Sequence, residues 1–429
     1  MVKLELPRGM RDLEAEEFAD IAYVRDRFME TARLFNFSIM EPSPLELQST
    51  LEAKSGADIS KEIYSFKDKG EREVALRFDL TIGLTRYVAQ RRDLKMPVKI
   101  ASFAGVWRYD EPQAGRYRYF HQWDIEIYGP FSTESDAEVI EFVSSFFNRL
   151  GLKVTIEISD RQLIEQYISE RLGITDKEMV LELFRAVDKV PKKGAKAVLE
   201  EYRERFDSSK LKKLIDLSGV KGTLQEVSAR ADLADLEGWR KLSNLMDSLS
   251  SRKIATARIN LGIVRGLDYY SGTVFEAFDE SSGTGALVGG GRYDRLTDVF
   301  GRKEIGATGV AGGVERIILS LRRNGILGRK KEGPIYVAYT GPELRVRALE
   351  IATSLREAGF STECDLIGRP LRKQLEDASA KNSVVAVIVA PEEIATNSVL
   401  VRILGSGEEE KRSLDSLHQA LREIIKVGA

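Results

Sequence analysis

The sequence is poor in the residues that announce chemistry most directly. Its 429 residues include one cysteine, Cys364, and two histidines, His121 and His418. A lone cysteine excludes an intramolecular disulfide and any zinc site built on a cysteine cluster. Two histidines so far apart in sequence exclude a histidine-rich metal centre, so no metal held by protein His or Cys is expected. No run approaches the roughly 18 uninterrupted apolar residues of a membrane-spanning helix. An excess of either charge is missing too, since 65 Lys and Arg oppose 67 Asp and Glu. That balance leaves a nucleic-acid partner open, because a neutral total can hide a local basic patch. The opening stretch MVKLELPRGMRDLEAEEF has no apolar signal core and carries many acids, which implies a cytoplasmic protein. A chain of this length, 43 % hydrophobic, is expected to form two or three domains with ample core.

What is present is an ordered change of texture along the chain. Helical apolar spacing over 13–35 is followed by the short, proline-stopped strand FSIMEPSPLE. Residues 62–81 predict a hairpin around Lys67–Glu73 that leads into a helix after Asp79. Two strands around DEPQAGR, a helix over 135–150 and the strand KVTIEIS come next. Densely charged short helices then fill 160–255, which predicts a helical insertion into a sheet-based domain. Strand texture returns in ARINLGIVRGLDYYSGTVFEAFD, ahead of the glycines 289–291. Beyond the charged linker LGRKKEG, alternating strands and helices over 333–429 predict a separate α/β unit, closing in a helix over 413–427.

The most informative stretch is WRYDEPQAGRYRYFHQWDIEIYG, residues 107–129. Alternate side chains of a strand face opposite ways. From Tyr117 the odd positions give Tyr119, His121, Trp123, Ile125 and Ile127, a face that can pack on a core. The even ones give Arg116, Arg118, Phe120, Gln122, Asp124 and Glu126. Cations, an amide and carboxylates on one face suit a zwitterionic ligand; a solvated sheet face is the plain alternative. Arg108 and Arg116 flank the turn, and the guanidinium fork suits phosphate and carboxylate.

Three further segments carry potential chemistry. In LRFDLTIGLTRYVA, Asp79 and Thr81 sit where a strand gives way to a helix, and by themselves they read as simple helix caps. In RINLGIVRGLDYYSGTVF, Arg265 beside Gly266 amid apolar sequence is costly unless it meets an anion. Strand alternation there implies that one of Tyr269 and Tyr270 faces the core. In IGATGVAGGVERIILSL, a glycine-rich strand enters a helix with Arg316 in its first turn, a geometry suited to nucleotide phosphates. It fits neither a P-loop nor a βαβ dinucleotide unit.

Together these segments resemble histidyl-tRNA synthetases, a family of class II aminoacyl-tRNA synthetases, over essentially the full length. RGLDYY at 265–270 is similar to that family's histidine-specific signature. FAGVWRYDEPQAGRYRYFHQ resembles class II motif 2, GVAGGVERI motif 3, and MEPSPLE around Pro44 the motif 1 proline of a dimer interface. LRKQLEDASAKN resembles a helix of the family's anticodon-binding domain.

The resemblance implies an α+β catalytic domain over 1–159 and 256–326, with a mixed, mainly antiparallel sheet flanked by helices. It implies a helical insertion domain at 160–255 and a C-terminal α/β anticodon-binding domain at 333–429. The implied reaction joins L-histidine and ATP, as its Mg2+ complex, into histidyl-adenylate, then passes histidine to the 3′ end of tRNA(His), in a homodimer without zinc. Asp79, Thr81 and Gln122 match positions that bind the α-amino group, and Glu126 and Tyr270 those that grip the imidazole. Arg108 and Asp110 match ATP-site positions, with Arg108 also on the substrate carboxylate. Arg316 matches the γ-phosphate ligand, Arg265 the catalytic arginine, and Gln113 and Arg116 the tRNA acceptor end. The nearest alternative is the non-catalytic synthetase-like regulatory subunit of histidine biosynthesis, which generally lacks an intact RGLDYY and the C-terminal domain. Lys189, Lys192, Lys193 and Lys196 of the insertion read as a solvated turn or an RNA-tracking patch. Arg369 and Arg372, opening a helix beside a glycine, are candidates for anticodon contacts.

Overall fold

The computed structural model describes residues 4–55, 59, 61–109, 111, 117–229, 233–264, 270–281, 283, 285–328 and 333–428. It separates into two compact units, Met1–Gly328 and Arg329–Ala429. No described helix is long and apolar enough to cross a membrane.

The first unit is built on a nine-stranded sheet. Its strands run, in spatial order, Ser38–Ile39, Val98–Trp107, Tyr119–Gly129, Gly306–Gly313, Ala286–Arg292, Thr273–Phe278, Thr155–Asp160, Ala257–Asn260 and Lys221–Gly222. Six of the eight pairings are antiparallel, and Ser38–Ile39 with Val98–Trp107 and Thr155–Asp160 with Ala257–Asn260 are parallel. The mixed, mainly antiparallel sheet expected from the sequence is therefore present.

One face of this sheet carries the main apolar core. Trp123, Ile125 and Ile127 of the central strand point into it, as the parity of the sequence requires. The helices Ala15–Leu34 and Thr133–Leu150 cover that face with Phe28, Phe142 and Phe146. Trp123 lies 4.9 Å from Phe146 in an edge-on contact and 5.4 Å from Phe28, spacings favourable for aromatic pairs. The Thr133–Leu150 helix has acids in its first turn and Arg149 in its last, matching its dipole. Gly151 stops it in the left-handed conformation, φ 75°, which glycine adopts without a Cβ penalty.

The segment expected to be a helical insertion leaves the sheet after Thr155–Asp160 and returns at Ala257–Asn260. Its helices include Lys177–Lys193, Ala195–Tyr202, Ser208–Ser218 and Glu237–Ser251. Its apolar residues share one continuous core with the sheet, and helix Glu237–Ser251 packs on helix Thr133–Leu150. Its short strand Lys221–Gly222 also closes the sheet's edge. Lys189 and Lys193 lie on a helix, not in a turn, and both pair with Glu201 at 2.7 Å.

The second unit holds a five-stranded sheet in the order Thr362–Cys364, Ile335–Tyr339, Val385–Val389, Ser398–Ile403, Glu409–Ser413. The last strand is absent from the sequence-based expectation. Its residues, EEKRS, are almost wholly exposed, and charge on an edge strand masks strand texture while protecting the edge. The closing helix accordingly begins at Leu417.

Asp160 ends a central strand and caps the next helix, its Oδ1 accepting from Leu163 N at 2.8 Å. Burial, with some help from nearby Asp136, pushes its carboxyl up to about 6. Because the folded value lies above the unfolded one near 4, the folded state holds the extra proton between about pH 4 and 6. Stability from this group therefore falls as pH rises through that window and stays lost above it. Asp160→Asn keeps a capping oxygen and removes the charge. It should stabilise the protein at pH 7.5 by on the order of 1–3 kcal/mol, with the gain closing toward pH 4. Calorimetric melting of both proteins across that range checks this, and a lower Tm for the variant at pH 7.5 would contradict it.

Candidate active site

The site grows from the other face of the Tyr119–Gly129 strand. Gln122, Asp124 and Glu126 point away from the aromatic core, yet water does not cover them: they are 4 %, 0 % and 1 % exposed. Burying two carboxylates on one strand is expensive unless donors or a cation meet them. The solvated-face alternative is thereby excluded.

The donors arrive from helix Thr81–Gln90 and from the strand itself. Thr81 Oγ1 donates to Asp124 Oδ2 at 3.0 Å, and Gln122 Nε2 donates to Asp124 Oδ1 at 2.8 Å. Asp79 is also buried and accepts from Ile82 N at 3.2 Å, a bond to the helix start, whereas Thr81 turns its hydroxyl to Asp124 and caps nothing. Arg108 leaves the neighbouring strand's end, donating to Phe78 O at 2.9 Å and to Gln122 Oε1 at 3.4 Å. Its guanidinium lies 5.2 Å from the ring centre of Phe120.

Glycines make room for the rest. Gly309 pairs with Glu126 across the sheet, and a Cβ on it would sit 1.5 Å from Glu126 Oε2. On the next strand Gly291 pairs with Gly309, and its Cβ would meet the Tyr270 ring at 2.9 Å. The close approach anticipated for glycines 289–291 is thus that of the Tyr270 ring, with the Glu126 carboxylate beside the partner glycine. Burial, and then the carboxylates Glu126, Glu276, Asp124 and Asp79, drive the Tyr270 hydroxyl well above its ordinary range. Tyr270 therefore stays protonated. It lies ahead of strand Thr273–Phe278, outside any strand, so the alternation argument made for the two tyrosines does not apply to it. Its carbonyl accepts from Arg161 Nη1 at 3.0 Å.

Beside this pocket opens a cleft of about 300 Å³ lined by Arg108, Phe120, Gln122, Glu276, Gly289 and Arg316, among others. Arg316 sits in the first turn of helix Val314–Arg323 and donates to Ala286 O at 2.8 Å. Its neighbour Glu315 is buried and accepts from His121 N at 2.9 Å, which locks the helix start to the central strand. Described residues therefore gather Asp79, Thr81, Arg108, Gln122, Glu126, Tyr270 and Arg316 around one pocket and cleft. Arg265, Asp110, Gln113 and Arg116 lie outside the described residues.

Sequence reasoning missed three participants. Tyr293 donates its hydroxyl to Glu126 Oε2, Glu276 lines the cleft, and Glu315 holds the helix start. Only the position of Tyr293, two residues after the glycine run, hinted at a role. In the second unit, Arg369 is spent internally, paired with Asp365 and with Asp377 at 2.7 Å. It is thereby a weak candidate for reading RNA. Arg372 is 89 % exposed and pairs with Glu376 on its own helix, so its guanidinium remains within reach of solvent.

Comparison with known proteins points the same way. Residues 9–317 match the histidyl-tRNA synthetase family, and residues 334–424 match the anticodon binding domain. The chain is 34 % identical to histidine–tRNA ligase of Pyrococcus furiosus, covering 99 % of this chain and all of that protein. It is 36 % identical to the same enzyme of Pyrococcus abyssi, with 98 % and 99 % covered. Among solved structures it superposes on histidyl-tRNA synthetase from Nostoc with a TM-score of 0.85 at 24 % identity, covering 99 % of this chain and 100 % of that one. An ATP phosphoribosyltransferase regulatory subunit/histidyl-tRNA synthetase from Bacillus halodurans gives 0.75 at 21 % identity, covering 91 % and 99 %, so the fold alone does not separate the two. With a family match over most of its length and full-length relatives above 30 % identity, the chain belongs to the histidyl-tRNA synthetase family of class II aminoacyl-tRNA synthetases.

Proposed function

We propose that this protein is a histidine–tRNA ligase whose amino-acid seat is the buried polar face of the Tyr119–Gly129 strand. The observation that carries this is the wall of buried acids Asp79, Asp124 and Glu126, opening on a cleft with Arg108 and Arg316. Such a wall wants a cationic, hydrogen-bonding ligand, and the adjoining arginines want an anionic one. Histidine and ATP meet both demands.

In this reading the α-ammonium donates to Asp79, Thr81 and Gln122. Glu126 accepts N–H from the imidazole, and the Tyr270 hydroxyl donates to its other nitrogen. Arg108 neutralises the substrate carboxylate and α-phosphate, and Arg316 holds the γ-phosphate. The histidine carboxylate, already ionised, attacks the α-phosphorus. A new P–O bond forms as the α–β bond breaks and pyrophosphate leaves, so no general base is needed. Arg265 stabilises the charge that builds on the α-phosphate. The tRNA 3′ hydroxyl then attacks the carbonyl of the adenylate; an ester bond forms as the acyl–phosphate bond breaks, and AMP departs with release of the hydroxyl proton. Asp110 belongs to the ATP site, and Gln113 and Arg116 to the acceptor end. ATP enters as its Mg2+ complex, no zinc is required, and the work is done in the cytoplasm.

Residues 1–159 with 256–326 form the catalytic portion, 160–255 its insertion and 333–429 the anticodon-binding domain. The regulatory-subunit alternative shares the fold, but the RGLDYY sequence and the anticodon-domain match favour a ligase. Histidine-dependent ATP–pyrophosphate exchange by the purified protein decides between them.

Three outcomes follow from these assignments. Arg265→Ala should slow adenylate formation at least ~100-fold, the scale of losing one oxyanion donor, with a smaller effect on KM. Normal single-turnover activation by the folded variant would remove the assignment. In Glu126→Gln, the hydrogen donated by Tyr293 selects the amide oxygen, which turns the NH2 toward the ligand where an acceptor is wanted. Histidine KM should rise ~10-fold or more while that for ATP moves little; the reverse pattern would reassign this face to ATP. Finally, Leu45, Leu47 and Phe66 of a three-stranded sheet beside Pro44, ordered Leu45–Leu47, Glu73–Leu76, Ser65–Lys67, are exposed, as is Ile39 of the edge strand. Such apolar surface fits a two-fold interface, and sedimentation should give a dimer at micromolar concentration; an active monomer there would contradict it.

A further inference from the structure

Asp124 lies deepest in the polar face, 0 % exposed, and its carboxylate spans two of the residues assigned to the α-ammonium. Thr81 Oγ1 donates to one oxygen at 3.0 Å and Gln122 Nε2 to the other at 2.8 Å. These bonds have a direction, and the direction matters for the ligand. A threonine hydroxyl carries one hydrogen; once it is given to Asp124, only lone pairs remain for a third party. A glutamine amide carries donors at one end and an acceptor at the other. With Nε2 held by Asp124, Oε1 faces the opposite way, where Arg108 Nη2 meets it at 3.4 Å. A donor on one side and an acceptor on the other both require this orientation of the amide. On the side away from Asp124, the Thr81 hydroxyl oxygen and Gln122 Oε1 are thus both left as acceptors. An ammonium has three hydrogens to give and no lone pair, so it needs acceptors alone.

We propose that Asp124 is the positioning residue that fixes Thr81 and Gln122 as acceptors and so makes the pocket selective for a ligand bearing an α-ammonium. This rests on the histidine seat described above and adds how its polarity is set. In Asp124→Asn one oxygen accepts and the amide NH2 must donate. Either Gln122 turns its NH2 into the pocket, or Thr81 points its hydrogen away from the substituted amide and accepts there. Each case removes one acceptor from the ammonium.

The test measures binding of three ligands to the full-length protein by calorimetry: histidine, histidinol, which keeps the ammonium but lacks the carboxylate, and imidazolepropionate, which lacks the ammonium. Asp124→Asn should weaken histidine and histidinol by ~10-fold or more, the scale of a charge-assisted hydrogen bond. Imidazolepropionate should bind as before or more tightly. ATP affinity should stay within about twofold. Equal weakening of all three ligands would indicate a merely structural role and overturn the proposal, as would no change in any. Glu126→Gln serves as the reference, since it should weaken every imidazole ligand. If it does so while Asp124→Asn does not distinguish histidinol from imidazolepropionate, the role of Asp124 fails and the seat stands. If Glu126→Gln changes none of them, the seat itself fails and this inference with it. Should Asp124→Asn not fold, as judged by its melting curve, Asp124→Ser takes its place with the same expected order.

Discussion

The catalytic unit depends on one constraint: the Tyr119–Gly129 strand must bury both of its faces, and only one of them is apolar. The apolar face is satisfied by helices, in the ordinary way of a layered α/β structure. The polar face cannot be satisfied by packing. Asp124 and Glu126 have to find donors in a place without bulk water, and the elements around them are arranged to bring those donors in. Thr81 comes from a helix start, Gln122 from the same strand, and Tyr293 from the turn after a glycine-rich strand. These three donors are neutral. They satisfy hydrogen bonds and bring no positive charge of their own.

The same logic explains why small residues crowd the strands opposite. Antiparallel pairing places Gly309 against Glu126 and Gly291 against Gly309. A side chain at Gly309 would occupy the space of the carboxylate, and one at Gly291 the space of the Tyr270 ring. These glycines therefore set the shape of the pocket, although they contribute no functional group.

Anchoring runs outward from the pocket in two directions. Arg292 is clamped between Asp136 at 2.8 Å and Asp294 at 3.1 Å, and Ser271 N donates to its carbonyl at 2.7 Å. Removing one partner of a buried pair of this kind costs about 3–5 kcal/mol, which makes the chain just after Tyr270 a rigid point. On the other side, the N-terminal stretch runs beside the start of the central strand. Arg118 Nη1 donates to Arg8 O at 2.9 Å, and Arg118 packs against Gly9, which has φ 83°. Arg11 stacks 3.4 Å over the Tyr117 ring and donates to Tyr119 O. Nothing in the composition of PRGMRDL announces this contact, because its partners lie more than a hundred residues away.

Much of this protein was legible without a structure, and the reason is periodicity. A strand repeats every two residues, so the parity of 117–127 separated core from site residues before any partner was known. The scarcity of cysteine and histidine argued, by counting alone, against a metal centre held by those residues. Short motifs with distinctive local spacing, such as RGLDYY and GVAGGVERI, marked the family, and with the 107–129 stretch they raised Arg108, Gln122, Glu126 and Arg316 as candidates, because such motifs are local. Only the tertiary structure decided what those side chains touch. The burial of Asp124, the bond from Tyr293 to Glu126 and the hold of Glu315 on His121 each join residues from distant segments. The same is true of Arg369, whose plain appearance at a helix start concealed two internal carboxylate partners. Hydrogen-bond direction and desolvation are properties of such long-range pairs, and no periodicity along the chain encodes them.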